Sequence, residues 1–272
     1  MHKINGEQNI AILIEDSGSI YANEQAQVLA NKLGVDVHTI PANSKKSRFV
    51  DAQWLLVFTA KGLSLRVASE PSWSDICVDF ASAALQYRKQ HGGGKNELVA
   101  KAIGIKGKHN LRVLDCTAGM GTDSFIMASV GANVTMLERS PIISALLADG
   151  LARAKNQEMP LATSLQLVEA NAIEYMQSHN AESLQIDVVY LDPMFPHKKK
   201  SALVKKEMQA FQLMLGPDQD SAALLSAAID FSPKRIVVKR PASAPELDNT
   251  HKRKPNMAIS SKKHRYDVYL VS

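Results

Sequence analysis

From residue 111 onward two patterns alternate along the chain. Residues 111–116, 133–137, 165–168, 187–191 and 235–238 are short, largely apolar runs. Between them, residues 123–130, 141–155, 172–178, 201–215 and 221–229 repeat their apolar positions at helical spacing. Strands apolar on both faces and separated by helices predict an α/β fold, a doubly wound parallel sheet covered on both sides. Pro141 falls at an early helical position, where its missing N–H is no loss. Residues 266–271 alternate and have no crossover helix before them, which predicts an antiparallel hairpin with residues 257–261 at one sheet edge.

Upstream the pattern is different. Residues 9–14 predict a strand, residues 23–33 a helix closed by Gly34, and residues 53–59 with 63–68 a hairpin around Lys61-Gly62. No cluster of titratable groups occurs there, so residues 1–70 are expected to form a small accessory α+β domain and residues 71–272 the catalytic one. Residues 75–104 predict helix, broken at His91-Gly92-Gly93-Gly94-Lys95. Asn96 is placed to cap a second helix over 97–103 with Glu97 in its first turn. The N–H groups near Lys95 suit either a phosphate or a plain connector.

Composition narrows the setting. Of 272 residues, 45% are hydrophobic and 22% charged, and no apolar run reaches the roughly 20 residues of a membrane span. Residues 1–7 lack the basic-then-apolar signal pattern, so a cytoplasmic protein without membrane contact is expected. Two cysteines, Cys77 and Cys116, exclude a disulfide framework and a Cys-based zinc site, and no metal is expected. Charge is asymmetric: residues 1–194 hold 17 Lys and Arg against 20 Asp and Glu, whereas residues 195–272 hold 15 against 7. Such a basic segment suits a polyanionic partner or simply a solvated face.

Asp115-Cys116-Thr117-Ala118-Gly119-Met120-Gly121-Thr122-Asp123 joins the first strand of the predicted sheet to its first helix. Without a Cβ, Gly119 and Gly121 let the backbone approach a ligand closely. Glu138 ends the next strand, where a carboxylate can accept from both hydroxyls of a ribose. Ser124 occupies the third-glycine position of a dinucleotide fingerprint, and Asp123 would repel a pyrophosphate. S-adenosylmethionine, a zwitterion carrying a sulfonium, fits this turn better, and no Walker A loop occurs.

Tyr190-Leu191-Asp192-Pro193-Met194-Phe195-Pro196 ends the fourth strand of the sheet at its carboxyl edge. An exocyclic amine needs acceptors for its N–H groups before its lone pair can face an electrophile. Asp192 offers one and the Pro193 carbonyl another, on a turn stiffened by two prolines, while Phe195 can stack on a base. A strand-ending Asp-Pro turn over a buried phenylalanine would read the same way.

The turn at residues 115–123 resembles motif I of class I S-adenosylmethionine-dependent methyltransferases. Asp192-Pro193-Met194-Phe195 is similar to the [Asp/Asn/Ser]-Pro-Pro-[Tyr/Phe] signature of enzymes that methylate exocyclic amines, with Met194 in place of the second proline. Met136-Leu137-Glu138-Arg139, residues 190–208, Val237-Val238-Lys239-Arg240-Pro241 and Lys263-His264-Arg265-Tyr266-Asp267 resemble the ribosomal small-subunit methyltransferase J family. This likeness runs from about residue 92 to the end and is weaker over the first 70. It implies a Rossmann-like seven-stranded methyltransferase sheet beside the small N-terminal domain. It also implies direct in-line methyl transfer from S-adenosylmethionine to the exocyclic N2 of a guanine near the 3′ end of 16S rRNA.

On that resemblance Asp192, Pro193 and Phe195 are catalytic. Thr122 and Asp123, Glu138 and Arg139, Asn171 and Ala172, and Asp192 meet the cofactor, beside Asp115, Gly119 and Gly121 of the glycine turn. Asn171-Ala172 departs from the small hydroxyl residues expected at that place, although Asn171 can still bond an adenine edge. Lys198, Lys199, Lys200, Lys205, Lys239, Arg240, Lys263 and Arg265 are the expected contacts to 16S rRNA or the 30S subunit around a flipped guanine. Lys239 and Arg240 are equally candidates to stabilise developing charge. Two other activities use the same residues: amino methylation of adenine in nucleic acid or of a protein glutamine, and RNA binding without turnover.

Overall fold

The computed structural model describes residues 10–15, 20–40, 52–92, 94–106, 110–194, 206–216 and 219–271. The predicted segment Lys198–Val204 and the residues Phe195 and Lys205 lie outside them. The chain opens with β1 (Ile10–Glu15), α1 (Ile20–Leu33), β2 (Val37–Ile40), β3 (Trp54–Thr59) and β4 (Gly62–Val67). They form a four-stranded sheet in the order β2-β1-β3-β4, with β3 and β4 the expected antiparallel hairpin. Strand β2 escapes the sequence pattern because three of its four residues are at least partly exposed.

The next segment corrects an expectation. Residues 75–82 are not helical: Ile76 exchanges backbone hydrogen bonds of 2.7 and 2.8 Å with Leu65 of β4. Ile76, Val78 and Phe80 are buried in alternation, a period of two that a strand-like segment uses and a helix does not. Helix α2 (Ala83–His91) follows, then α3 (Leu98–Ile103). Asn96 falls in the 3₁₀ turn Gly94–Asn96, and Glu97 takes the N-cap position without a capping bond. Its carboxylate pairs instead with Arg88 at 2.8 Å.

The remaining elements are β5 (Leu111–Asp115), α4 (Thr122–Ser129), β6 (Ala132–Glu138), α5 (Pro141–Asn156), β7 (Leu165–Glu169), α6 (Ala172–Ser178), β8 (Val188–Leu191), α7 (Lys206–Leu215), α8 (Ser221–Phe231), β9 (Arg235–Pro241), β10 (Met257–Ser260) and β11 (His264–Leu270). Among the described residues these strands form a seven-stranded sheet in the order β10-β11-β9-β8-β5-β6-β7. β5 to β9 are mutually parallel, and the β10–β11 hairpin is antiparallel at one edge, as the missing crossover helix predicted. The chain winds outward from β5 through β6 to β7, then returns to β8 on the other side. β5 and β8 therefore flank the point where the winding reverses, at whose carboxyl ends doubly wound sheets bind their ligands.

Each face of this sheet has its own core. Val113, Met136, Tyr190 and Val237 pack with Phe125 of α4 and Leu146 of α5, while Leu114, Leu137, Val189 and Val238 pack with Leu225 and Ala228 of α8. Burial on both faces is why these strands read as continuous apolar runs. The first core also takes in Ile12, Leu56 and Leu65 of the four-stranded sheet, so α5 serves both sheets. Among the described residues no helix is long and apolar enough to cross a membrane.

The joint between the sheets is close at Gly150 of α5. A Cβ there would lie 2.5 Å from Val78 Cγ1 and 2.7 Å from the Val78 carbonyl oxygen. The backbone of residue 78 cannot swing aside as a flexible side chain could. Gly150→Ala is expected to destabilise the chain by about 1–3 kcal/mol through overpacking, read as a lower urea midpoint. An unchanged midpoint would mean that residues 76–80 yield freely.

Candidate active site

The register of the parallel strands brings the motifs to one edge. Asp115 pairs with Met136 of β6 and with Tyr190 of β8, and Leu191 pairs with Val238 of β9. Asp192 and Lys239 thus follow side by side on neighbouring strands. Tyr266 of β11 pairs with Lys239 in turn. Tyr190, Lys239 and Tyr266 share the face covered by α4, because side chains alternate along a strand.

Asp115 is buried at the end of β5. Ser124 Oγ donates to its Oδ2 at 2.5 Å and the Thr117 N–H to its Oδ1 at 3.1 Å. Burial pushes its carboxyl up to about 7, although both hydrogen bonds act in the opposite direction. The glycine turn above it has positive φ at Gly119 (53°) and Gly121 (70°), a conformation with little cost for glycine alone. Nearly buried Glu138 holds this turn from the side: its carboxylate accepts from the Gly119 N–H at 3.1 Å and the Ser140 N–H at 2.7 Å. Thr117 Oγ1 accepts from the Asp192 N–H at 2.6 Å, so the glycine turn and the Asp-Pro turn are bonded directly.

Asp123, in the first turn of α4, joins three elements. Its Oδ2 accepts from Tyr190 OH and from Lys239 Nζ, each at 2.7 Å, and Arg88 of α2 approaches its Oδ1 at 3.5 Å. Burial would raise this carboxyl, but the Lys239 ammonium, the Tyr190 hydroxyl and Arg88 outweigh it and hold it below the ordinary aspartate value. Lys239 also reaches Asp192 Oδ2 at 2.7 Å. Burial would lower its ammonium, and the two carboxylates keep it well above the ordinary lysine value. Burial and the nearby Asp123 raise Tyr266 to about 12.

The charge inventory fits S-adenosylmethionine. Asp115, Asp123, Glu138 and Asp192 converge on the strand ends, and Lys239 and Arg88 are bonded to Asp123, Lys239 also to Asp192. An acid-rich edge favours a sulfonium and an amino group over a pyrophosphate. Among the described residues no group of three or more His, Cys, Asp or Glu is arranged to hold a metal ion. Neither thiol is activated: burial raises both Cys116, which lies 3.9 Å from Met176 Sδ, and Cys77.

The other expected residues divide. Thr122 is exposed at the start of α4, and Ala172 is buried at the start of α6. Asn171 caps α6 through its Oδ1, which accepts from the Ile173 and Glu174 N–H groups, so the cap does not use its amide nitrogen. Arg139 binds Asp220 at 2.6 Å and, with Glu169, Asn171 and Tyr175, lines a cavity of about 360 Å³ beside β7. Among the basic residues, Lys239 is bonded into the Asp123–Asp192 cluster, whereas Arg240 on the opposite face is buried and donates to the Pro245 carbonyl at 3.1 Å. Arg265 spans Asp267 at 2.6 and 2.9 Å, and Lys263 stands exposed in the β10–β11 turn. Arg88 and Tyr190 were not singled out from the sequence. Tyr190 read as one more apolar strand residue, and Arg88, 35 residues before Asp123, carries no local signal.

Comparison with known proteins agrees with this geometry. The profile of a family described as SAM-dependent methyltransferase matches residues 43–271. A protein of Aeromonas hydrophila named ribosomal RNA small subunit methyltransferase J is 46% identical over 264 residues, 96% of this chain and 98% of that one. A protein of the same name from Pseudoalteromonas atlantica is 50% identical over 215 residues, 77% and 82% of the two chains. The crystal structure of a SAM-dependent methyltransferase from Neisseria gonorrhoeae superposes with a TM-score of 0.68 at 33% identity, covering 96% of each chain.

The raised Asp115 carboxyl makes stability depend on pH. The folded chain holds this proton to about pH 7, whereas an unfolded aspartate releases it near pH 4. The contribution is therefore complete below about pH 4 and lost as pH rises through 7. Asp115→Asn, whose Oδ1 can still accept from the Thr117 N–H while its NH2 donates to Ser124 Oγ in reversed direction, should unfold at a midpoint that gains on the wild type between pH 5 and pH 8. A pH-independent difference would mean that Asp115 is ionised in the native state.

Proposed function

The chain belongs to the ribosomal RNA small subunit methyltransferase J family of S-adenosylmethionine-dependent methyltransferases, and from that premise we propose that it methylates the exocyclic N2 amine of a guanine near the 3′ end of 16S rRNA. One observation carries the amine chemistry: Asp192 and Pro193 form a turn at the carboxyl end of β8, bonded to the glycine turn through Thr117. The Asp192 side chain is 37% exposed, the most accessible acid of the Asp123–Lys239–Asp192 group, so a base entering from solvent meets it first.

When bound, S-adenosylmethionine supplies an electrophilic methyl group. Thr122, Asp123, Glu138, Arg139, Asn171 and Ala172 would hold it, together with Asp115, Gly119 and Gly121. Asp192 accepts one N–H of the guanine amine and the Pro193 carbonyl a second, which turns the nitrogen lone pair toward the methyl group. The methyl group would pass to the amine nitrogen as its bond to sulfur broke, with the bonding pair left on sulfur. The amine then sheds one proton to Asp192 or to water. Direct transfer of this kind needs no thiolate, in keeping with the buried Cys116.

Phe195 is assigned to stacking on the base, and Lys198, Lys199, Lys200, Lys205 and Lys263 to phosphates of the rRNA or the 30S subunit. Residues 71–272 are the catalytic unit in this reading, residues 1–70 an accessory one, and the cytoplasm is the compartment where this substrate is met. The test is transfer of tritiated methyl to 30S subunits lacking the modification, followed by nucleoside analysis. N2-methylguanosine is expected, and Asp192→Ala should lower its rate by at least about 100-fold. Labelled N6-methyladenosine or methylglutamine would overturn the guanine assignment, and cofactor binding without any transfer would overturn the enzymatic one.

A further inference from the structure

Lys239 joins two elements that sequence separates by 69 residues, the start of α4 at Asp123 and the turn after β8 at Asp192. Both bonds are 2.7 Å long. Side-chain exposure rises along the row, from 12% at Asp123 through 21% at Lys239 to 37% at Asp192. The ammonium thus stands behind the more exposed carboxylate, with two of its three N–H donors engaged by the acids. Its place follows from register: with Leu191 opposite Val238, the next residues on β8 and β9 are Asp192 and Lys239.

We propose that Lys239 is a positioning residue for methyl transfer, keeping the Asp192 carboxylate charged and aimed at the incoming amine while tying it to the cofactor turn through Asp123. This deepens the rRNA-methyltransferase reading and rests on it. The groups around Asp192 show why a cation is needed. Asp123 of α4 adds negative charge, Asp115 of β5 is a buried carboxyl raised to about 7, and Tyr190 of β8 and Tyr266 of β11 are neutral phenols held protonated by burial and the nearby acids. Arg88 of α2 is engaged by Glu97 and Asp123, and His264 of β11, near Lys239 and Arg88, is pushed toward its neutral form by burial and by those cations. Lys239 bonds Asp192 directly at 2.7 Å. Without it, Asp192 would face Asp123 across a partly buried edge, would take up a proton more readily and would lose one of the bonds that hold its carboxylate in place.

The experiment compares the full-length wild type with Lys239→Gln and Lys239→Arg, and uses Lys239→Met, of similar length, should the glutamine variant fail to fold. The first readout needs neither cofactor nor turnover: the ¹³C carboxyl signal of Asp192, assigned by its loss in Asp192→Asn, is followed against pH. In Lys239→Gln its midpoint should rise by about one to three pH units. The second readout is methyl transfer to 30S subunits. A fall in kcat of about 10- to 100-fold at unchanged KM for the subunit is expected, with the acid limb of the pH profile displaced upward and much of the rate restored in Lys239→Arg. An unmoved Asp192 titration overturns the proposal. So does a raised KM at unchanged kcat with a shallower salt dependence, the signature of a phosphate contact. Should the wild type leave 30S subunits unmethylated, the rRNA reading falls, and the Asp192 titration still decides the Lys239–Asp192 coupling.

Discussion

Four carboxylates crowd the carboxyl edge of the seven-stranded sheet, and each is accommodated by a different physical device. Asp115 is taken out of the charge count by burial, which raises its carboxyl to about 7. Asp123 stays ionised through Lys239, Tyr190 and Arg88. Glu138 is neutralised in part by backbone N–H groups of Gly119 and Ser140. Asp192 keeps partial access to water and shares the Lys239 ammonium. Like charges this close cannot all ionise in a low-dielectric setting without such partners. Much of the local structure can be read as the means of supplying them.

That constraint reaches well beyond the strand ends. Arg88 belongs to α2, a helix with no buried residue, and it is anchored at one side by Glu97 and at the other by Asp123. The segment leading into α2 is fixed by Ile76 against β4 and by Val78 against Gly150. The four-stranded sheet is in this way mechanically connected to the site: β4, residues 76–80 and α5 form one packed layer, and α2 leaves that layer to place a guanidinium beside the cofactor turn. Gly121 lies in the same path, since a Cβ there would meet Leu147 of α5 at 2.9 Å and Phe80 at 3.1 Å.

The chemistry drawn from these groups is modest, and that suits the reaction. Methyl transfer to an amine requires alignment of a lone pair with an electrophile and a place for one proton, with no nucleophile supplied by the protein. A bonded chain from Glu138 through the glycine turn and Thr117 to Asp192 sets donor and acceptor sites in one rigid frame. Asp192, at its more exposed end, is where the proposed reading would bring the substrate base.

Sequence alone determined the α/β class, the order and type of most elements, the antiparallel closing hairpin and the two turns that meet at the carboxyl edge. These rest on local chemistry: strands buried on both faces must be apolar throughout, and turns that approach ligands need glycine or proline. It misplaced residues 75–82, where a period of two was overlooked in favour of helix, and the cap of α3, where Glu97 is drawn away by Arg88. Tertiary structure alone decided which neighbour on β9 joins the acid cluster. Lys239 and Arg240 are adjacent and equally basic, yet strand alternation sends one to Asp123 and Asp192 and buries the other against the Pro245 carbonyl. Only the pairing of β8 with β9, and of both with the face that α4 covers, says which side is which, because a charge acquires its role from the partners that distant segments bring to it.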